Sequence, residues 1–161
     1  MIGFLARLMQ RSPPKVELGT ARDSAAFARL HAAAFHRGWS EGEFEQILIE
    51  RNALAHRSRQ GRNVNGFIVS RLAGDEAEIL SVAVAKSAQG RGIGGALLAA
   101  HLGALAGRGI RTVFLEVEEA NRAARALYRR CGFTDVGRRE GYYRQPGAMP
   151  ALAVVMRRDL V

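Results

Sequence analysis

The chain has 161 residues, the size of one domain with a single substantial core. Apolar residues make up 48% of it, too many for a disordered chain, and the single Cys131 excludes a disulfide framework and a multi-thiolate metal site. A surplus of 24 Lys+Arg over 15 Asp+Glu gives a net charge of +9, which attracts phosphates, nucleic acid or acidic partners. Because Lys15 and Lys86 are the only lysines, arginine-rich codon usage accounts for this charge equally well, and nucleic-acid contact is not required.

The first residues indicate a leader rather than part of the core. Residues 1–14, closed by Pro13 and Pro14, predict a flexible leader ahead of a folded domain at 15–161. The apolar run of the leader is short and interrupted by Arg7, unlike a secretory signal, and no run approaches the roughly 18 apolar residues of a membrane span. The four histidines lack the spacing of a metal-ligand pair. We therefore expect a cytoplasmic protein that contacts no membrane and holds no metal.

Apolar periodicity and turn residues predict the elements in chain order. They are a strand at 16–20, a helix at 22–35, a helix opened by the Ser40–Glu43 capping box, strands at 53–57, 66–72 and 76–84, a helix at 92–106, a strand at 110–118, a helix at 121–130, and strands at 134–139 and 152–157. The apolar strand at 110–118 is typical of a strand covered on both faces. This order predicts one α/β domain with a mixed, mostly antiparallel sheet flanked by helices.

A glycine-rich loop connects the strand at 76–84 to the next helix. It reads Gln89, Gly90, Arg91, Gly92, Ile93, Gly94, Gly95. Unpaired amides and the positive end of the helix dipole meet there, and glycines let a phosphate approach. A Walker loop would end in Gly-Lys-Ser/Thr, and a dinucleotide fingerprint would follow the first strand of a parallel sheet. A turn without a ligand is the remaining alternative, but the position of the loop favours a diphosphate site.

Several motifs resemble those of a known family. The pattern Gln89-x-x-Gly92-x-Gly94 resembles the acetyl-CoA loop of the GNAT superfamily of N-acetyltransferases. The runs at 114–121 and 126–133, with the later pair Tyr142-Tyr143, resemble the RimI-type ribosomal-protein alanine N-acetyltransferases over about 16–160. The resemblance implies a GNAT-like domain whose sheet is splayed between strands 4 and 5, with acetyl-CoA in the gap as acetyl donor.

The resemblance also implies which residues hold the donor. The pantetheine would pair with the backbone of Val82, Ala83 and Val84, and the pyrophosphate would lie on Gly90–Gly95. Asn121 matches the asparagine that contacts the cofactor in the family, although an Asn at this position equally fits a helix N-cap.

Two residues are the expected catalytic pair, Glu116 from its position in the strand and Tyr128 from the family resemblance at Leu127-Tyr128. Glu116 lies in mid-strand among apolar residues, and we expect it to act as the base that takes the amine proton, with Glu118 on the same face in reserve. The alternative for Glu116 is an ion pair with an arginine. Tyr128 is the expected acid for the departing thiolate, although a tyrosine there would otherwise be a core aromatic.

Three aromatic residues are candidates for binding the acceptor. Tyr142 and Tyr143 are expected to shape the acceptor pocket together with Trp39, which equally fits an apolar staple under the second helix. By resemblance, the acceptor is a protein N-terminus, the alanine of a small-subunit ribosomal protein. The alternatives are a GNAT enzyme that acts on another amine and a CoA-binding interaction module without turnover.

Overall fold

A computed structural model describes residues 13–141 and 151–161 of the chain. Within them the strands are β1 (Lys15–Leu18), β2 (Ala53–Gln60), β3 (Asn63–Ala73), β4 (Glu76–Val84), β5 (Thr112–Glu118), β6 (Thr134–Glu140) and β7 (Leu152–Asp159). The α-helices are α1 (Ser24–Ala34), α2 (Glu41–Leu48), α3 (Ile93–Gly107) and α4 (Arg122–Arg130). The predicted leader at 1–14 lies almost wholly outside the described residues.

The strands form one sheet in the order β1-β2-β3-β4-β5-β7-β6. The β4–β5 pair is parallel and the other five neighbouring pairs are antiparallel, which confirms the predicted mixed sheet. Both β2 and β3 run three residues beyond the prediction at their shared end. Gly61 has a φ of 60° there and closes a tight turn, so the ladder extends to the pair Gln60–Asn63.

Helices cover both faces of the sheet. One apolar cluster packs α3 and α4 against one face, and a second packs α1 and α2 against the other. In β5, Val113, Leu115 and Val117 are buried in the first cluster, while the alternate residues are only half-buried. The strand is therefore fully covered on one face rather than on both. Within the described residues, no helix has the length and apolar character needed to cross a membrane.

A polar network lies inside the first cluster. Ser70 Oγ of β3 is 2.7 Å from His101 Nε2 of α3, and His101 Nδ1 is 2.8 Å from His56 Nδ1 of β2. Ser70 and His101 are wholly buried, and His56 is 6% exposed. Burial, with the nearby His56 and Arg108 charges, lowers the pKa of His101 to about 3. Burial, followed by Arg108, also lowers the pKa of His56.

We expect the free energy of unfolding to fall as the pH drops below about 6.5. In the unfolded chain these two histidines and His31, whose pKa burial lowers to about 4, titrate near 6.5, whereas in the folded state all three pKa values are depressed, so the unfolded chain binds protons first. Stability is thus full above that pH and is lost between it and the folded pKa values. The slope is about 1.4 kcal/mol per pH unit for each histidine that stays neutral.

Urea unfolding between pH 7.5 and 5, followed by circular dichroism, measures this slope. The variant His36→Gln alters an exposed histidine and serves as the control, which should keep the wild-type slope. A stability that stays constant over this range would contradict the prediction.

Candidate active site

The sheet opens between β4 and β5. These strands pair only from Glu76–Thr112 to Ile79–Leu115. At the next residue, Leu80, β4 has a β-bulge against β3, since Val69 pairs with Ser81 while Ser70 pairs with Ile79. A bulge bends its strand and often ends strand pairing. The predicted splay between strands 4 and 5 is therefore present, and the bulge lies at the residue where β4 stops pairing with β5.

The last part of β4 has one free edge. Val82, Ala83 and Val84 pair with β3 on one side, while no strand among the described residues pairs with their other side. An extended ligand with amide groups can pair with such an edge, just as an added strand does. These are the three residues predicted to hold a pantetheine chain.

The glycine loop forms a cradle at the start of α3. Gly90 and Gly92 have φ values of 76° and 77°, and a Cβ added at either position would meet no atom within 4 Å. Gly92 is the N-cap of α3 and has no capping side chain. The intrahelical hydrogen bonds begin with the Ala96 amide, which donates to the Gly92 carbonyl. The amides of Ile93, Gly94 and Gly95 are therefore left without an intrahelical acceptor.

This arrangement fits a diphosphate. The open space in front of the glycines gives access to the amides, and the positive end of the α3 dipole favours negative charge there. Arg91 is exposed in the same loop and can add a charge-assisted contact. The side chain of Gln89 faces back, with Nε2 3.4 Å from the Val84 carbonyl, and ties the loop to the end of β4.

Neighbouring elements hold the loop in place. Ile93 is buried against Gly66 of β3, where an added Cβ would lie 3.1 Å from Ile93 Cγ2. Gly94 lies against Leu127 of α4, 3.0 Å from an added Cβ. At the start of α4, Asn121 Oδ1 accepts a hydrogen bond of 3.1 Å from the Ala124 amide. The N-cap predicted for Asn121 is thus confirmed, and its contact with a cofactor stays a prediction.

Glu116 projects from β5 on the face opposite α3 and α4. Its Oε1 is 3.3 Å from Arg139 Nη1 of β6, so the ion pair that the sequence left open is present. Its Oε2 is buried and has no hydrogen-bond partner among the described residues. One oxygen is therefore held by an arginine, and the other can accept a proton. Glu118, the predicted reserve base, lies two residues further on the same face.

Tyr128 lies on the other side of β5 from Glu116. It is 8% exposed, packs edge-to-face on Phe133 at a centroid distance of 6.0 Å, and belongs to the cluster that contains Val82 and Val117. Because Val117 and Glu116 are adjacent in the strand, their side chains point to opposite faces. The structure thus places the predicted acid and base on opposite sides of the sheet, next to the gap.

Of the three residues predicted to bind the acceptor, the structure describes only Trp39. Trp39 precedes the α2 capping box and packs on Phe44 at 5.4 Å, while stacking on His31 at 4.7 Å. This is the staple that the sequence allowed. A contact between Trp39 and an acceptor stays a prediction. Tyr142 and Tyr143 lie outside the described residues.

Two features of the site were not predicted from the sequence. Arg139, the partner of Glu116, comes from a distant strand that has no motif of its own. The bulge at Leu80 is also hidden, because all residues from 79 to 84 except Ser81 are apolar and mask the change of face. Burial alternates without interruption along β4, and only the apolar cluster changes, from the first cluster at Ile79 to the second at Ala83, which requires the structure.

Comparison with known proteins assigns the class. Residues 24–133 match the family model described as Acetyltransferase (GNAT) family. The chain therefore belongs to the GNAT acetyltransferase family, whose members use acetyl-CoA. The predicted acetyl-CoA-dependent N-acetyltransferase is confirmed at this level.

Two curated relatives and one solved structure are similar to this chain over most of its length. The chain is 35% identical over 118 residues to the [Ribosomal protein bS18]-alanine N-acetyltransferase of Haemophilus influenzae, with 73% of this chain and 80% of that protein covered. It is 38% identical over 146 residues to the N-alpha-acetyltransferase RimI of Mycobacterium tuberculosis, with 87% and 89% covered. Its fold matches the crystal structure of the ribosomal-protein-S18-alanine N-acetyltransferase from Escherichia coli with a TM-score of 0.84 at 28% identity, over 91% of this chain and 94% of that one.

Proposed function

We propose that this protein transfers the acetyl group of acetyl-CoA to a protein N-terminal amine, the alanine of a small-subunit ribosomal protein. The observation that carries the proposal is the free edge of Val82–Val84, which leads to the open amides of Gly90–Gly95. The relatives named for N-terminal alanine acetylation support the choice of acceptor. Residues 15–161 form the catalytic domain in this proposal.

The residues of the gap suit the donor along its length. The amides of Ile93, Gly94 and Gly95 bind the diphosphate, and the free edge of β4 pairs with the amide groups of the pantetheine. Bound acetyl-CoA supplies an acetyl group activated as a thioester. An amide near Val82 can stabilise negative charge that develops on the carbonyl oxygen.

The side chains beside the gap move the protons. Glu116 accepts the proton of the amine through Oε2, directly or through one water, while Arg139 holds Oε1. Tyr128 donates its phenolic proton to the departing sulfur from the opposite side of the sheet. This separation prevents direct proton exchange between acid and base. The proposal keeps the expectation that Trp39 contacts the acceptor N-terminus together with Tyr142 and Tyr143, which lie outside the described residues.

The function is tested by measuring thiol release from acetyl-CoA in the presence of peptides. We expect release with a peptide that begins with a free alanine of a ribosomal-protein N-terminus, and none with the same peptide N-acetylated. Acetylation of an internal lysine instead of the N-terminal amine would show that the acceptor is a lysine side chain. Acetyl-CoA binding without turnover on any peptide would indicate an interaction module.

We expect Glu116→Gln to lower kcat mainly at low pH. An α-amine has a pKa near 8, so a base matters most where the amine is protonated. The initial rate of peptide acetylation between pH 6 and 9 measures the effect. The matched control is Glu118→Gln, which removes the neighbouring carboxylate on the same face and should keep the wild-type profile. If instead Glu118→Gln shows the loss at low pH and Glu116→Gln does not, the base is Glu118.

A further inference from the structure

The buried network of Ser70, His101 and His56 has no role in the chemistry proposed above. The order Ser–His–His resembles the hydrogen-bonded chain that activates a serine nucleophile. Ser70 and His101 are wholly buried, however, so no substrate reaches the hydroxyl. The network must therefore act on the fold or through it.

The composition of α3 makes this network unusual. Among its 15 residues α3 has four glycines, five alanines and five Leu or Ile residues, and His101 is its single polar side chain. His101 lies in the buried stripe with Leu98 and Leu102, where another leucine would fill the space without desolvating a polar ring. The start of α3 is held by the close contacts of Ile93 with Gly66 and of Gly94 with Leu127, whereas around His101 the helix surface consists of small residues and leucines, which have few features that fix its position along the sheet.

Directional hydrogen bonds supply what this packing lacks. His101 bonds to one residue of β2 and one of β3, so a slide or rotation of α3 breaks both bonds inside the core. A buried polar group can fix the register between packed elements in this way. Gly92, at the start of the loop amides, is nine residues before His101, a rise of about 14 Å along the same rigid helix.

We propose that His101, bonded to Ser70 and His56, is a positioning residue that fixes α3 in the register at which the loop amides meet the donor diphosphate. This inference rests on the proposed use of acetyl-CoA. A shift of α3 moves Ile93, Gly94 and Gly95 together relative to the free edge of β4. The loop amides and the free edge of β4 then no longer fit the diphosphate and the pantetheine of the same acetyl-CoA molecule. The affinity for acetyl-CoA falls as a result, while the acid and the base stay in place.

The test removes the whole network. The triple variant His56→Leu/Ser70→Ala/His101→Leu leaves none of the three polar groups unpaired, so the fold should survive. We expect the acetyl-CoA Kd, measured by calorimetry, and the acetyl-CoA KM to rise about tenfold, with kcat at saturation nearly unchanged. Leu102→Met is the control, a volume-conserving change next to His101 that should keep both constants.

Ser70→Ala is the second variant, since it breaks one hydrogen bond and should raise KM by a smaller factor. Folded variants that bind acetyl-CoA like the wild type would overturn the inference, as would an equal loss in Leu102→Met. Failure of the wild type itself to bind acetyl-CoA would refute the proposed function instead, so the two failures can be told apart.

Discussion

Replacement of Gly92 by valine is expected to abolish measurable acetyl-CoA binding while the domain stays folded. Gly92 has a φ of 77°, which a β-branched residue adopts only with strain, and it begins the row of open amides. A valine side chain would occupy the empty space in front of these amides and keep a diphosphate away from them. Calorimetric titration with acetyl-CoA measures the loss.

Gly109→Val is the matched control for this prediction. Gly109 has a φ of 83°, lies just beyond the other end of α3, and would likewise place its Cβ in open space. Both variants should lose about 1–3 kcal/mol of stability from backbone strain, and only Gly92→Val should lose the ligand. Equal acetyl-CoA affinities in the two variants would remove the diphosphate from this loop.

Tyr128→Phe is expected to slow acetyl transfer by about 10²–10⁴-fold, the range for loss of a proton-transfer partner. The ring is buried against Phe133, and phenylalanine keeps that contact, so the domain should stay folded. Single-turnover acetylation of the alanine peptide at saturating acetyl-CoA isolates the chemical step. Acetyl-CoA affinity should stay at the wild-type value.

Phe133→Leu provides the opposite control. It perturbs the same pair of rings without removing the hydroxyl, so it should lower the unfolding midpoint and keep the rate per folded molecule. Wild-type turnover in Tyr128→Phe would show that Tyr128 is only a core aromatic. A loss of turnover in Phe133→Leu as large as that in Tyr128→Phe would show that ring packing, rather than the proton, sets the rate.

Much of the framework could be predicted from the sequence because it depends on neighbours in the chain. Glycines at fixed spacing before an apolar helix predict a loop with open amides at the start of α3, and the pattern from Ser40 to Glu43 predicts a capping box, which the structure contains with bonds of 2.7 and 3.1 Å. The strand at 76–84 matches β4 at both ends. In each case the controlling interactions span only a few residues.

The tertiary structure alone decided how these parts meet. The gap begins at a bulge at Leu80 that is defined only against β3, and the ion pair of Glu116 depends on Arg139, 23 residues further along the chain. His101 shows the same limit, since its partners come from two strands that precede it by 45 and 31 residues. Local patterns determine which residues can form a helix, a turn or a phosphate loop. Pairing and packing between distant segments determine which side chains face one another, because these contacts depend on the relative position of whole elements.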